Sequence, residues 1–355
     1  DGDTLAMDGG SFSQVTHVFT DASSGSVTIE SNAPIEYSGL EPITDGLLAQ
    51  DRVFEFASSD DEITIGDDGN LTNGFSRIAS TDSSETVDFE VAPGGRVTVR
   101  TGAGDDQVTA SDLDPTRSSV LTIAGNDGDD ALDASAMTEP VTLTGGSGND
   151  VLTGGTADDL INGQFGDDTI RGGSGDDNLL GGSGRDLLDG GDGSDRLRAQ
   201  GYSGDTLLGS GGSDVLSGGD GTDAVSISAD ADITLADAQV TVGAEVHQIA
   251  DVERAELTGG DGANAIDASG FTGDTTLSGG DGSDTITGSA GVTLLHEALD
   301  SNLTLTNSSL TGPDTDVISD IDRARQIGGA GDNTLDASGF SGPVTLRGSG
   351  GDDTL

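Results

Sequence analysis

Six nine-residue units follow one another from Gly145 to Arg198: GGSGNDVLT, GGTADDLIN, GQFGDDTIR, GGSGDDNLL, GGSGRDLLD and GGDGSDRLR. After one inserted residue, Ala199, three more units follow, QGYSGDTLL, GSGGSDVLS and GGDGTDAVS, and end at Ser226. The sixth position is Asp in every unit and the eighth is aliphatic in every unit. A fixed period of this kind predicts a repeat architecture.

The aliphatic residue of each unit predicts a thin core. Glycine is too frequent for a helix, since each one costs about 1 kcal/mol relative to alanine. A six-residue turn followed by a three-residue strand would direct only the eighth side chain inward, and strands stacked about 4.8 Å apart would bury it. These inward residues are Leu152, Ile161, Ile170, Leu179, Leu188, Leu197, Leu207, Leu216 and Val225.

The same stacking places the sixth-position carboxylates in columns. Two unit charges about 5 Å apart repel by about 3 kcal/mol at an effective dielectric of 20, and a thin core cannot offset a whole column of such pairs. Arginine is too scarce to neutralise them, with 13 basic residues against 65 acidic ones. Carboxylates and turn carbonyls without His or Cys favour Ca²⁺, whereas Mg²⁺ dehydrates reluctantly.

The pattern GGxGxDxUx, with U aliphatic, resembles the nonapeptide of the RTX (repeats-in-toxin) family. The resemblance implies an all-β fold, a right-handed parallel β-roll or β-solenoid with two nonapeptides per coil and several calcium ions in its turns. It also implies that each ion takes the aspartate carboxylate and backbone carbonyls of the glycine-rich turns. The metal ligands expected on this basis are Asp106, Asp130, Asp150, Asp159, Asp168, Asp177, Asp186, Asp195, Asp205, Asp214, Asp223, Asp284 and Asp353.

Some turns depart from the pattern, and we expect weaker calcium binding there. Ala157 replaces the fourth-position glycine, and Gln164 and Phe165 occupy the second and third positions of their unit. Gln200 and Tyr202 disturb another unit, and the glycine pattern shifts at 212–213. A flexible Gly/Asp-rich linker is the alternative, but a linker needs no aliphatic residue at every ninth place.

A longer unit of 67–69 residues surrounds the array. Segments beginning at Ala131, Ala265 and Thr334 match one another, and each contains an eleven-residue spacing with Met137, Phe271 or Phe340. We interpret this bulky residue as filling a turn where an ion fills the others; a surface loop is the alternative. Asn264 and Asn333 stand at sixth positions and predict weaker sites, and the interludes 249–257 and 318–327 with their preceding strands predict extra coils without metal.

The predicted organisation is an N-terminal β-rich region at 1–100, a transition at 101–144, the roll of nine nonapeptides at 145–226, and an interrupted solenoid at 227–355. The first region holds six of the nine Phe residues and short alternating runs typical of strands. It fits either a sandwich or an irregular solenoid. We expect no signal peptide at Asp1, and Leu355 ends an unfinished nonapeptide, so we expect a piece of a longer protein.

The composition excludes several functions. A net charge of −52 would repel nucleic acid, the absence of Cys excludes disulfides and thiolate metal sites, and no apolar stretch is long enough to span a membrane. His296-Glu297 begins like a zinc-protease motif, but Asp300 stands where the second His belongs. His17 and His247 are isolated, and no nucleophile elbow occurs. We therefore predict no enzyme activity within this chain.

The sequence predicts a calcium-binding structural or adhesive segment of a large secreted or cell-surface bacterial protein, such as a surface-layer component. It would fold on export, where calcium is abundant. Calcium is the expected partner, neighbouring copies or cell-surface glycans are the candidates for a second one, and the resemblance implies type I secretion. The alternative is the calcium-dependent folding and export tail of a secreted enzyme. A protein that binds an ordered surface such as ice or glycan is disfavoured, because it would need a uniform outward row and the seventh positions are heterogeneous.

Overall fold

The computed structural model describes residues 3–21, 24–30, 32, 34–38, 40–56, 60–70, 73–80, 86–116 and 119–355. Asp1, where we expect no signal peptide, lies outside them. All regular structure in this part of the chain is β-strand, which confirms the all-β prediction. The chain forms two compact units, Asp1–Gly201 and Tyr202–Leu355.

The described strands of the first unit are numbered in chain order: β1 Asp3–Asp21, β2 Ser24–Ile29, β3 Ile35–Ser38, β4 Leu40–Glu55, β5 Glu62–Asp67, β6 Phe75–Ser80, β7 Thr86–Ala103, β8 Gln107–Ser111, β9 Val120–Asp127, β10 Ala131–Ala136, β11 Val141–Ser147, β12 Val151–Thr153, β13 Leu160–Phe165, β14 Thr169–Ser174, β15 Asn178–Ser183, β16 Leu187–Asp192 and β17 Arg196–Arg198.

Two ladders of parallel strands build the roll in this unit. One joins β4, β7, β9, β11, β13, β15 and β17, and the other joins β5, β8, β10, β12, β14 and β16. In the array each strand pairs with one 18 residues away, as Leu152 pairs with Ile170 and Ile170 with Leu188. Each coil therefore holds two nonapeptides, one on each ladder, and the predicted parallel β-roll is confirmed.

The core of the roll is as thin as the repeat predicts. All nine eighth-position side chains, in both units, have an exposed fraction of 0%. Some strands are longer than the expected three residues: β13, β14, β15 and β16 have six residues each. They continue because the first positions of each turn also pair in register with those of the next coil, as Gln164 pairs with Gly182.

The N-terminal strands add a wider core to the same ladders. β1 pairs in parallel with β4, while β2, β3 and β6 pair antiparallel with their neighbours. Phe54 packs against Phe89 with ring centroids 4.8 Å apart, and Phe19 stacks on Phe56 at 4.6 Å. Aromatic side chains fill this wider space, which the single aliphatic residue of a nonapeptide could not.

The second unit contains the remaining described strands: β18 Thr206–Leu208, β19 Val215–Ser217, β20 Ala224–Ser228, β21 Ile233–Ala236, β22 Gln239–Val242, β23 Glu245–Ala250, β24 Arg254–Thr258, β25 Ala265–Gly270, β26 Asp274–Ser278, β27 Thr285–Thr287, β28 Thr293–Ala298, β29 Leu303–Thr306, β30 Ser309–Thr311, β31 Thr315–Ser319, β32 Arg323–Ile327, β33 Leu335–Gly339 and β34 Val344–Arg347.

The interludes are only partly as predicted. Residues 249–257 and 318–327 form coils, because β23 and β24 pair in parallel with β19 and β20, and β31 and β32 pair in parallel with β27 and β28. The strands that precede them do not form coils of their own but antiparallel meanders. β18, β20, β24, β26, β28, β32 and β34 form an uninterrupted parallel ladder. In the other ladder β22 runs antiparallel between β21 and β23, and β30 runs antiparallel between β29 and β31. Only two residues separate β22 from β23, and Gly243 has a φ of 58°, so the chain makes a tight hairpin instead of a coil.

The eleven-residue units bury their bulky side chain in two of three cases. Met137 and Phe271 each have an exposed fraction of 2%, whereas Phe340 is half-buried. The surface-loop alternative is therefore wrong for Met137 and Phe271, which pack inside the turn.

Candidate metal centre

The turns of the array place their sixth-position aspartates inside the roll. In the turn that precedes β14, Gln164 and Gly166 have φ values of 81° and 122°. These left-handed residues reverse the chain within six positions, which explains why glycine is frequent there. Asp168 comes after these turn residues and two positions before the inward Ile170, and its exposed fraction is 1%.

At eight of the buried carboxylates in the first unit, one oxygen joins successive coils. This Oδ1 atom accepts a hydrogen bond from a backbone N–H of the preceding coil. In the first column each backbone N–H donates to the Oδ1 of the next aspartate along the column. The pairs are Asp61 to Asp106 at 2.7 Å, and Asp106 to Asp130, Asp130 to Asp150, Asp150 to Asp168 and Asp168 to Asp186 at 2.9 Å each. In the second column Val141, Asp159 and Asp177 donate to Asp159, Asp177 and Asp195 at 2.9, 2.8 and 2.8 Å.

The other carboxylate oxygen is buried without a hydrogen-bond partner at several of these residues. Within the described residues this holds for the Oδ2 atoms of Asp130, Asp150, Asp168, Asp177, Asp223 and Asp284. A buried polar group without a partner costs about 1–3 kcal/mol, and a charged one costs more. A cation beside these oxygens would remove that cost.

The first-position glycine leaves space beside this oxygen. A Cβ added to Gly145 would lie 2.0 Å from Asp150 Oδ2 and 2.9 Å from the Gly163 carbonyl oxygen. At Gly163 the corresponding distances are 2.1 Å to Asp168 Oδ2 and 2.8 Å to the Gly181 carbonyl oxygen. A carboxylate oxygen and a carbonyl oxygen of the next coil thus meet in one small space. Oxygen atoms of these two kinds are the ligands that Ca²⁺ prefers.

Side chains alone do not enclose an ion. Among the residues that the structure describes, no three His or acidic side chains are grouped so that they could hold a metal. Carbonyl oxygens of the glycine-rich turns must therefore complete any coordination shell. The residues present fit calcium on this condition, because its six to eight ligands commonly include backbone carbonyls.

The fifth positions form a second ladder that runs in the opposite direction. Here the side-chain oxygen accepts from the backbone N–H of the following coil, as Asp129 Oδ1 does from Asn149 at 2.6 Å. Asn149 continues the ladder to Asp167 at 2.8 Å, and Asp158 accepts from Asp176 at 2.9 Å. These residues are exposed, so paired acids such as Asp167 and Asp168 divide between an outer ladder and an inner column.

Burial makes the inner carboxylates hard to ionise. Desolvation raises the pKa of Asp130, Asp168 and Asp177 to about 7, and neighbouring carboxylates add to the shift. Desolvation likewise raises the pKa of Asp150 and Asp186 to about 6. A cation at the columns would favour the ionised form and release these protons.

These columns coincide with a known repeat. The model of the RTX calcium-binding nonapeptide repeat matches four times, at residues 142–170, 171–201, 200–233 and 269–292. The chain carries RTX calcium-binding nonapeptide repeats. Such repeats imply a calcium-binding β-roll segment of a bacterial protein, they are structural and not catalytic, and proteins that contain them are typically secreted. A search of curated proteins finds no match to the chain.

Two RTX turns give their carboxylate a different partner. Asp159 follows Ala157, and its Oδ2 accepts a hydrogen bond of 2.6 Å from the Gly155 backbone. Asp214 Oδ2 lies 2.8 Å from Nδ1 of His247, whose side chain is fully buried. His247 stands two residues before the inward Ile249, which is the place of a sixth-position aspartate. Both turns therefore differ from the others at the carboxylate that would bind calcium.

The remaining expected ligands of the second unit lie in similar columns. Asp205 donates from its backbone to Asp223 at 2.8 Å, and Asn264 donates in the same way to Asp284 at 2.8 Å. Asp353 accepts from the Asn333 backbone at 2.9 Å but is only half-buried. Asn264 and Asn333 are buried and turn their own Oδ1 to a backbone N–H within the turn, at 2.9 Å in each case.

Sequence reasoning missed several acids that extend the columns. Asp316 accepts from the Asp284 backbone at 3.0 Å, and Glu253 accepts from the Asp223 backbone at 3.0 Å. Asp61 opens the first column. Each stands two residues before an inward apolar residue, and this spacing without the Gly-Gly pair was the signal that could have identified them.

No helix in the described residues has the length and apolarity that are needed to cross a membrane.

Proposed function

We propose that this chain is a structural or adhesive segment of a large secreted or cell-surface bacterial protein, and that calcium binding drives its folding after export. The thirteen aspartates predicted from the sequence are its proposed ligands, with Asp159 and Asp214 the weakest of the buried ones. One observation supports this most strongly: carboxylate oxygens without partners lie buried in register along the roll.

The compartment follows from the ion. Extracellular calcium modules work at about 10⁻⁴–10⁻³ M, far above cytosolic calcium. Without the ion the columns would repel, and with it the binding free energy adds to the folding free energy. The segment would therefore stay unfolded before export and fold outside the cell. We propose that its partners there are neighbouring copies or surface glycans.

Circular dichroism and calorimetry on the whole chain test this function. We expect weak β signal in EGTA, a strong β signal after calcium is added, and heat of binding for several ions. Magnesium at the same concentration is the control and should restore less structure, because it dehydrates reluctantly. An unchanged β spectrum in EGTA, together with no calcium uptake by calorimetry, would contradict the proposal.

A further inference from the structure

One buried carboxylate in the second unit lies where the repeat has a glycine. Leu277 and Leu295 pair in register on β26 and β28. Glu297, two residues after Leu295, therefore occupies the position that corresponds to Gly279, the first glycine of the turn GGDGSD. The exposed fraction of Glu297 is 2%. A side chain at this position points into the space that the glycine leaves open beside a sixth-position carboxylate.

Glu297 and Asp284 converge on Gly279. The Gly279 backbone N–H donates a hydrogen bond of 2.8 Å to Glu297 Oε1, and Ser278 Oγ donates to Oε2 at 3.4 Å. A Cβ on Gly279 would lie 2.4 Å from Asp284 Oδ2. That oxygen is buried without a hydrogen-bond partner, and Asp284 is 1% exposed. An unpartnered carboxylate oxygen is thus aimed at the space that Glu297 enters.

Two other carboxylates, those of Asp284 and Asp316, act electrostatically on Glu297. Asp316 Oδ1 accepts a hydrogen bond of 3.0 Å from the Asp284 backbone N–H, and the exposed fraction of Asp316 is 7%. Desolvation raises the pKa of Glu297 to about 8 and that of Asp316 to about 6, and in both cases nearby carboxylates add to the shift. Three buried acids without a compensating cation would be costly in their ionised form.

The buried acid stands at a different position in this coil than in the equivalent coil of the unit. In that coil Asp223 stands at the sixth position, and the buried Ile227 stands two residues after the inward Val225. In the coil of Glu297 the sixth position is Thr293, whose fully buried hydroxyl accepts a hydrogen bond of 2.9 Å from the Ser289 backbone. This coil therefore has no acid at the sixth position, Thr293, but has one four residues later, Glu297.

We propose that Glu297, a residue outside the nonapeptide pattern, joins Asp284 in binding a divalent cation, with calcium its expected occupant. Asp316 fixes Asp284 from the next coil, and carbonyl oxygens of the turns complete the shell. Glu297 also lines a surface pocket of about 220 Å³ with Ser278 and Gly280, which gives an ion access. The proposal rests on the proposed function for the identity of the ion.

Ion counting on the full chain tests this site. Native mass spectrometry and equilibrium dialysis would compare the wild type with Glu297→Gln, which keeps an oxygen for the Gly279 N–H but removes the charge. The matched control is Glu256→Gln, since Glu256 lines the same pocket and is exposed. We expect Glu297→Gln to bind one ion fewer than the wild type and Glu256→Gln to bind the same number.

An equal count and affinity in Glu297→Gln would overturn the site while leaving the proposed function intact, and would indicate a buried proton instead of an ion. A wild type that takes up no calcium would overturn both. If Glu297→Gln does not fold in calcium, the ion count of Glu297→Ile is measured instead. This variant should fold, because the equivalent coil accommodates Ile227 at the same position. Glu297→Ile should also bind one ion fewer, and an unchanged count would overturn the proposal.

Discussion

A first-position glycine such as Gly163 does more than permit a turn. Its missing Cβ leaves the space in which Asp168 Oδ2 and the Gly181 carbonyl oxygen meet. The backbone there is not in the left-handed region, so steric access to the carboxylate and not backbone freedom requires glycine at this position. At the residue scale, glycine is therefore required at this position because a Cβ would overlap the carboxylate that is proposed to bind the ion.

Gly163→Ala tests this requirement. The methyl group would lie 2.1 Å from Asp168 Oδ2, so we expect calcium affinity at that coil to fall about tenfold, equivalent to about 1.4 kcal/mol. Calcium titration followed by circular dichroism gives the measurement. Thr169→Ala, an outward change in the same coil, is the control and should bind as the wild type does. Equal affinity in both variants would contradict the role of the glycine.

The N-terminal strands contain a buried cluster of three ionisable side chains, His17, Asp45 and Arg52. His17 Nε2 lies 2.9 Å from Asp45 Oδ2, and Arg52 pairs with the same carboxylate and donates from Nε to the Glu90 carbonyl at 2.9 Å. His17, Asp45 and Arg52 are all fully buried. Burial lowers the pKa of His17 and outweighs the opposing effect of Asp45. Burial opposes ionisation of Asp45, but His17 and Arg52 outweigh it and lower its pKa.

These shifts predict that acid weakens the N-terminal strands. Both groups bind protons less readily when folded, so each contribution is lost as the pH falls below the pKa of the unfolded state. For His17 this loss begins below pH 6.5, whereas for Asp45 it begins only below pH 3.8. Hydrogen exchange of β4 in saturating calcium, corrected for intrinsic rates, should show less protection at pH 5.5 than at pH 7.5. His17→Gln should reduce this difference. Protection that is constant or rises on acidification would contradict the argument.

At the element scale, the strands are held in register by two side-chain ladders of opposite direction. Sixth-position carboxylates accept from the preceding coil and fifth-position side chains accept from the following one. Backbone N–H groups of the turns, which no strand partner satisfies, thus find acceptors on both sides. The inner ladder also brings its unpartnered oxygens into a row, and this row is what the proposed calcium ions require.

Asp177→Ala combined with Asp195→Ala interrupts the second column. Asp177 donates from its backbone to Asp195 at 2.8 Å, so the two changes remove adjacent members of one column. We expect about two fewer ions, and a loss of about 2 kcal/mol would lower the midpoint of thermal unfolding in calcium by about 4–8 °C. Asp192→Ala, an exposed change in the same turn as Asp195, should have little effect. Equal midpoints for the two proteins would show that the column does not stabilise the roll.

At the scale of the whole molecule, a net charge of −52 is compatible with a roll only if part of it is neutralised. The 13 basic residues are too few, and the Arg77–Asp88, Arg100–Glu55 and Arg185–Asp167 ion pairs are partly or largely exposed and contribute little. Protons or metal ions must supply the rest. The RTX match favours calcium as the principal counter-ion.

The repeat made much of this structure predictable. The nine inward residues and the parallel roll followed from period and residue type, because stacking requires identical units to bury identical positions. The burial of twelve of the thirteen predicted aspartates agrees with this pattern. The meanders, Asp316, Glu297 and the pairing of His247 with Asp214 were not predicted. These features depend on which strands stack on each other. An interlude changes the sequence separation between stacked strands, so the nonapeptide period no longer predicts the pairing there.

The most direct test of the central claim is a crystal structure of the calcium-saturated chain, with anomalous scattering recorded to identify calcium. We expect anomalous peaks beside the Oδ2 atoms of Asp130, Asp150, Asp168 and Asp177, with carbonyl oxygens of the turns among the ligands. An ordered roll with only water at these four positions would contradict the claim.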